Sequence, residues 1–135
     1  MGPPRPGRKL AISGDTRPCG SLRVAAYRAD LLIHEATFTE EERERAAETG
    51  HSTAAEAAEL ARAAEVSMLA LTHFSTRYPV GLLRDEARAI FPNTAMPRDF
   101  DTIEIPLPER GGPELTRWSE QQEADHHALL SDVRS

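Results

Sequence analysis

Short apolar runs that break into polar residues at their carboxyl ends constrain this chain more than any other feature. Lys9-Leu10-Ala11-Ile12 breaks at Ser13-Gly14-Asp15-Thr16. Leu31-Leu32-Ile33 breaks at His34-Glu35-Ala36-Thr37. Met68-Leu69-Ala70-Leu71 breaks at Thr72-His73-Phe74-Ser75. Runs this short lack the length of a helix, and they lack the alternation of a half-exposed strand. They read as strands buried on both faces.

Helical patterns lie between them. Ser21 to Arg28 carries Leu22, Ala25 and Ala26 at helical spacing, with Ser21 as N-cap. Thr39 and Glu42 have capping-box spacing and open a charged, solvated segment to about Ala47, with Glu41 and Arg45 an i,i+4 pair. Thr53 and Glu56 form a second box that opens Ala54 to Ala64. Ala54, Ala57, Ala58 and Ala61 fall on one face there, small enough for close packing on a sheet. Val80 to Phe91 is amphipathic and stopped by Pro92. Asp101 to Ile105 alternates and reads as a late strand at a sheet edge.

Strands alternating with helices predict an α/β layered fold. In such sheets ligands gather beyond the carboxyl ends of the strands. Asp15, His34-Glu35 and His73 all stand at such ends, so separate strands deliver metal-type or acid–base residues to one edge. From Gly111-Gly112-Pro113 onward the composition turns polar and reads as a loosely attached extension, with a helical segment near Glu120 to Leu130.

Composition narrows the function classes. The chain has 135 residues, the size of one domain. Lys and Arg number 16 against 22 Asp and Glu, a net charge of −6. Such a surface lacks the basic stripe that non-specific nucleic-acid binding needs, so any such binding is local or supplied from elsewhere. No apolar stretch reaches the ~20 residues of a membrane span. With Cys19 the single cysteine, no disulfide forms within the chain, which fits a reducing cytosol.

Carboxylates and imidazoles at neighbouring strand ends suit zinc, and one Asp can bridge two ions in phosphodiester hydrolysis. His51 follows Gly50 in a loop, and an imidazole beside a carboxylate such as Glu35 suits a general acid. Each residue also has a plainer reading. Ser13-Gly14-Asp15-Thr16 has the composition of a turn, a lone His at a strand end is commonly structural, and Glu35 reads equally as a surface carboxylate. His126 and His127 lie in the polar extension and read as solvated.

Four stretches together resemble successive motifs of the ribonuclease Z family, tRNA 3′-processing endonucleases of the metallo-β-lactamase superfamily. They are Ser13 to Cys19, His34-Glu35-Ala36-Thr37-Phe38, His51-Ser52-Thr53 and Leu71 to Tyr78. The resemblance covers about Gly7 to Ile105. It implies the C-terminal half of a metallo-β-lactamase-like αββα sandwich over residues 1–110, followed by the polar extension at 111–135.

The resemblance also implies roles. Asp15 resembles the carboxylate that bridges two zinc ions, and His73 the histidine that completes one ion's coordination. Glu35 and His51 resemble the pair that gives a proton to the departing ribose 3′-oxygen, an alkoxide that needs one near neutral pH. Arg77 and Tyr78 resemble the end of the last motif, where packing and substrate contact both stay open, and His34 receives no catalytic role.

The family's His-x-His-x-Asp-His cluster, its later ligand histidine and its tRNA-gripping arm have no match in this chain. Two ligands, Asp15 and His73, fall short of the three that catalytic zinc usually takes. The expectation is therefore a chain that is inactive alone and belongs to a cytoplasmic, zinc-dependent enzyme acting on precursor tRNA, with dimerisation open. Two alternatives stand beside it. One is another phosphodiesterase or hydrolase of the superfamily, and the other is a non-catalytic remnant that complements another half-domain, with an exposed apolar sheet edge.

Overall fold

The apolar runs become strands that add to one sheet in chain order. A computed structural model of the chain describes residues 7–13, 20–73, 78–79, 81–120, 122 and 126. Strands β1 (Leu10–Ile12), β2 (Leu31–Glu35), β3 (Met68–Thr72) and β4 (Thr94–Ala95) form a four-stranded parallel sheet in the order β1-β2-β3-β4. Parallel neighbours need crossovers, and helices supply them. Helix α1 (Gly20–Ala26) joins β1 to β2. A 3-10 turn (Glu40–Glu42), α2 (Arg43–Thr49) and α3 (Ala54–Ala63) join β2 to β3, and α4 (Leu82–Arg88) joins β3 to β4.

The main core lies between the sheet and this helical layer. Ala57, Ala58 and Ala61 of α3 are fully buried against Leu32, Leu69 and Leu71. Alanines leave no bulk between helix and sheet, so the larger strand side chains fill the space. Each buried leucine contributes about 1.5–3 kcal/mol by leaving water. The opposite face of the sheet buries Leu31, Met68 and Ala70 beneath Ile103 and Ile105. Ile103 belongs to β5 (Thr102–Glu104), which pairs antiparallel with β6 (Glu114–Thr116) in a separate two-stranded sheet.

Asp101 fastens that second sheet. Its carboxylate accepts the Trp118 N–H at 2.8 Å, the Arg98 N–H at 2.8 Å and Arg117 Nη1 at 2.7 Å. Glu114–Thr116 fall within the stretch whose composition reads as a polar extension, so part of that stretch is paired strand. Residues 118–120, 122 and 126 are helical, and His126 is exposed. His127 lies outside the described residues.

Other local expectations need correction. The expected double-sided burial holds for β2 and β3 but fails for β1, where only Ala11 is buried. Leu10 and Ile12 are 52% and 64% exposed, because the segment carrying Ile103 and Ile105 covers β2 and β3 and stops short of β1. Strand β4 has only two residues, too few for a periodic signal. Ser21 sits inside α1, which starts at Gly20.

The expected 80–91 helix is shorter. Gly81, at φ 89°, stands at its N-cap, and the N–H groups of Ile90 and Phe91 both turn onto the Ala87 carbonyl. The two capping boxes also part ways. Thr53 and Glu56 cap α3 reciprocally, each within 3.0 Å. At Thr39 no side-chain cap forms: the Glu42 N–H bonds the Thr39 carbonyl at 3.0 Å, while the Thr39 N–H turns to the Tyr78 hydroxyl, which in turn donates to the Glu42 carboxylate. Arg45 pairs with Glu42 at 3.7 Å rather than with Glu41. Among the described residues no helix is long and apolar enough to cross a membrane.

Candidate functional site

The carboxyl ends of β2 and β3 bring Glu35, His51 and His73 together. Glu35 is the last residue of β2, in register with Thr72 of β3, which places His73 one residue beyond. The Ala36 N–H bonds the Thr72 carbonyl at 3.0 Å and holds the two strand ends level. His51 arrives from the helical side. Gly50 ends α2 in the left-handed region at φ 76°, and the His51 N–H returns to the Ala46 carbonyl at 2.8 Å. A parallel bridge between Phe38 and Thr53 then lays the 51–53 segment beside the chain leaving β2.

Glu35 is 1% exposed, which rules out the surface reading. A buried carboxylate needs donors, and three are supplied. Oε1 accepts the Ser52 N–H at 2.6 Å, while Oε2 accepts the Thr37 hydroxyl at 2.7 Å and the Thr37 N–H at 3.1 Å. His51 turns Nδ1 toward Glu35 Oε1 at 3.6 Å and is about a quarter exposed. Its Nε2 therefore faces away from the carboxylate. The His51 ring stacks on His73 with centroids 5.8 Å apart and meets Phe38 edge-on at 6.3 Å.

His73 adopts φ 54°, a left-handed conformation costing a non-glycine residue about 1–2 kcal/mol. Its Nδ1 and carbonyl oxygen lie 3.2 and 3.1 Å from Thr37 Oγ1. Donor atoms of Glu35, His51 and His73 all fall within 4.8 Å of one another. Two imidazoles and a carboxylate are donors that zinc accepts. Glu35 is the poorest ligand of the three, since both its oxygens already take hydrogen bonds. The carboxylate stands behind His51 Nδ1.

His34 takes the other face of β2 and is fully buried. Its Nδ1 donates to the Glu35 carbonyl at 2.8 Å, and burial holds its pKa below the ordinary histidine value. Tyr78 is the other expected residue whose place is now plain, packed against the main core with its hydroxyl on the 39–42 segment. Asp15 and Arg77 lie outside the described residues. Two contributors escaped the reading of the sequence. Thr37 stands inside one of its motifs, at the i+2 position where a Thr side chain can return to a neighbour. The Ser52 contribution is a backbone N–H and leaves no trace in residue type.

The comparisons with known proteins point one way. The model of the β-lactamase superfamily domain matches residues 4–74. Ribonuclease Z of Gemmatimonas aurantiaca is 55% identical over 111 residues, covering 81% of this chain and 35% of that protein. Ribonuclease Z of Myxococcus xanthus is 51% identical over 110 residues, covering 79% of this chain and 36% of that protein. The chain thus spans about a third of the length of these curated relatives.

Among solved structures, human tRNase Z, short form, aligns at TM-score 0.56 and 36% identity, over 70% of this chain and 32% of that one. The metallo-β-lactamase fold protein YhfI from Bacillus subtilis aligns at TM-score 0.61 and 27% identity, over 66% of this chain and 36% of that one. A domain model that covers more than half of the residues, and ribonuclease Z relatives that share about half of them over four fifths of the chain, make this protein a member of the β-lactamase superfamily.

Proposed function

We propose that this chain is the C-terminal part of a zinc-dependent endoribonuclease that removes the 3′ trailer from precursor tRNA in the cytoplasm. The observation that carries the proposal is the buried Glu35 carboxylate 3.6 Å from His51 Nδ1, at strand ends shared with His73, in a chain whose relatives are ribonuclease Z proteins. In this reading residues 1–110 form half of the domain and 111–135 extend it.

Cleavage of a phosphodiester leaves an alkoxide on the departing ribose 3′-oxygen, and that oxygen needs a proton near neutral pH. His51 gives it from Nε2, while the Glu35 carboxylate stands behind Nδ1 at 3.6 Å. His73, with Asp15, holds zinc in part. Zinc, when bound, supplies the activated nucleophile and offsets charge on the phosphate. Two protein ligands are too few for catalytic zinc, so the remaining ligands come from outside this chain. The exposed Leu10 and Ile12 on β1 support a sheet completed by further chain.

The test is to express this chain alone and together with a segment carrying a His-x-His-x-Asp-His cluster. Zinc content is then measured, along with cleavage of precursor tRNA and of a generic phosphodiester. The expected result is no turnover alone, and zinc uptake with trailer removal in the pair. Stoichiometric zinc with turnover by the lone chain would overturn the incompleteness. Cleavage of the generic ester without the tRNA would move the protein to another superfamily hydrolase, and zinc uptake without any cleavage would leave a complementing module.

A further inference from the structure

We propose that Glu86 is a positioning residue for His51: from α4 it anchors the 38–40 segment beside which the His51 loop is laid. The proposal rests on the reading of His51 as the proton donor. Leu83, Ala87 and Ile90 turn one face of α4 toward the main core, and Glu86, three residues after Leu83 and four before Ile90, falls on that same face. Its Oε1 accepts the Glu40 N–H at 2.9 Å, across 46 positions of sequence. The carboxylate also faces the Ala55 N–H in the first turn of α3. One side chain thus meets both the segment leaving β2 and the helix that follows His51.

The 38–40 backbone divides its bonds between two neighbours. The Phe38 N–H donates to the Ser52 carbonyl at 3.5 Å, and the Phe38 carbonyl accepts the Ala54 N–H at 3.0 Å, which ties this residue to the His51 loop. The next two amides go to residues that follow β3. The Thr39 N–H meets the Tyr78 hydroxyl at 3.3 Å, and the Glu40 N–H meets Glu86. The Glu86 contact is the shorter of the two and involves a carboxylate, the stronger class of hydrogen bond. Glu40 carries the link onward, since its Oε2 accepts the Thr53 hydroxyl at 3.4 Å. Thr53 lies two residues beyond His51, and Phe38 meets the His51 ring edge-on.

Packing alone does not account for a carboxylate in this place. Burial raises the Glu86 pKa, and the neighbouring Glu40 and Glu41 charges raise it further, while the Glu40 and Ala55 N–H groups act in the opposite sense. A carboxyl whose pKa rises on folding makes the fold less stable as it ionises. An apolar residue would cover the same helix face without that cost, and it would leave the Glu40 N–H without its acceptor. What the carboxylate contributes is the fixed position of residue 40.

The experiment compares the whole chain with Glu86→Leu, which keeps the bulk and removes the acceptor, and Glu86→Gln, which keeps an acceptor oxygen. At one pH, amide exchange reads the Glu40 N–H, and through-space contacts between the Phe38 and His51 rings read the placement of the imidazole. The expected result is a protected Glu40 N–H with Phe38–His51 contacts in the wild type, loss of both in Glu86→Leu and their return in Glu86→Gln. A wild-type Glu40 N–H that exchanges as fast as that of an unstructured peptide overturns the proposal without any variant having to fold. Ring contacts unchanged in a folded Glu86→Leu protein overturn it too, whatever the stability of that variant.

Turnover by the chain paired with a segment carrying a His-x-His-x-Asp-His cluster gives the second readout. The expected change is a fall in kcat of roughly 10–100-fold in Glu86→Leu with KM unchanged, and recovery in Glu86→Gln. Equal kcat in all three sinks the link to His51. If not even the wild-type pair cleaves precursor tRNA, the proposed function falls, while amide exchange and the ring contacts still decide whether Glu86 places the imidazole.

Discussion

Ser52 donates its backbone N–H to Glu35 Oε1 at 2.6 Å, joining a loop before α3 to the last residue of β2 across 17 positions of sequence. The contact makes the carboxylate structural as well as chemical, because it satisfies a buried amide that water does not reach. Replacing Glu35 by Gln tests this. An amide side chain offers one acceptor oxygen and one NH2, so either the Ser52 N–H or the Thr37 donors then meet a donor. An unsatisfied buried donor costs about 1–3 kcal/mol. Urea denaturation is expected to show that loss for Glu35→Gln. A variant as stable as the wild type would mean that the carboxylate is not holding the loop.

The two capping boxes share their spacing and differ in outcome, which gives a paired prediction. Thr53→Val removes the acceptor of the Glu56 N–H and is expected to cost about 1 kcal/mol, the usual worth of a lost N-cap. Thr39 caps no N–H with its side chain, so Thr39→Val is expected to stay within about 0.5 kcal/mol of the wild type. Denaturation midpoints of the two variants check the difference. Equal losses would mean that the hydroxyls contribute in some way other than capping.

The same contrast shows what a sequence of this kind makes legible. The β2 and β3 runs and the α3 alanines announce themselves, because burial on both faces and close helix packing each select residue types over several positions. The convergence at the strand ends is legible too, since it follows from parallel order alone. Three features were not. Tyr78 takes over the Thr39 box through contacts 36 and 39 residues apart, β4 is two residues long, and β6 becomes a strand only because β5 is there to pair with it. Each depends on a distant partner, which local pattern does not encode.

Asp101 gives the second sheet a pH dependence. The Trp118 and Arg98 N–H groups, with the Arg117 guanidinium, hold its carboxyl down from 3.8 to about 2. A depressed carboxyl pKa adds stability that is fully present above the unfolded value and is lost as pH falls through the folded one. The β5–β6 unit is therefore expected to hold at pH 5 and to loosen between about pH 4 and 2. Trp118, the single tryptophan, lies 5.8 Å from the Phe100 ring and reports the change by fluorescence. Asp101→Asn is expected to flatten this transition, and an unaltered acid limb in that variant would place its cause elsewhere.

Gly50 stands one residue before His51, and its conformation sets where the imidazole points. At φ 76° it ends α2 in the left-handed region, with open space around the position a Cβ would take. Gly50→Ala therefore meets no clash and bears only the backbone cost of that region, about 1 kcal/mol. The chain relieves part of it by unwinding the last turn of α2, which releases the His51 N–H from the Ala46 carbonyl. The predicted outcome is a stability loss near 1 kcal/mol, with changed chemical shifts for the His51 ring and for the Ser52 N–H that Glu35 accepts. Unchanged shifts at both, alongside that stability loss, would show that the cap supports α2 without positioning His51.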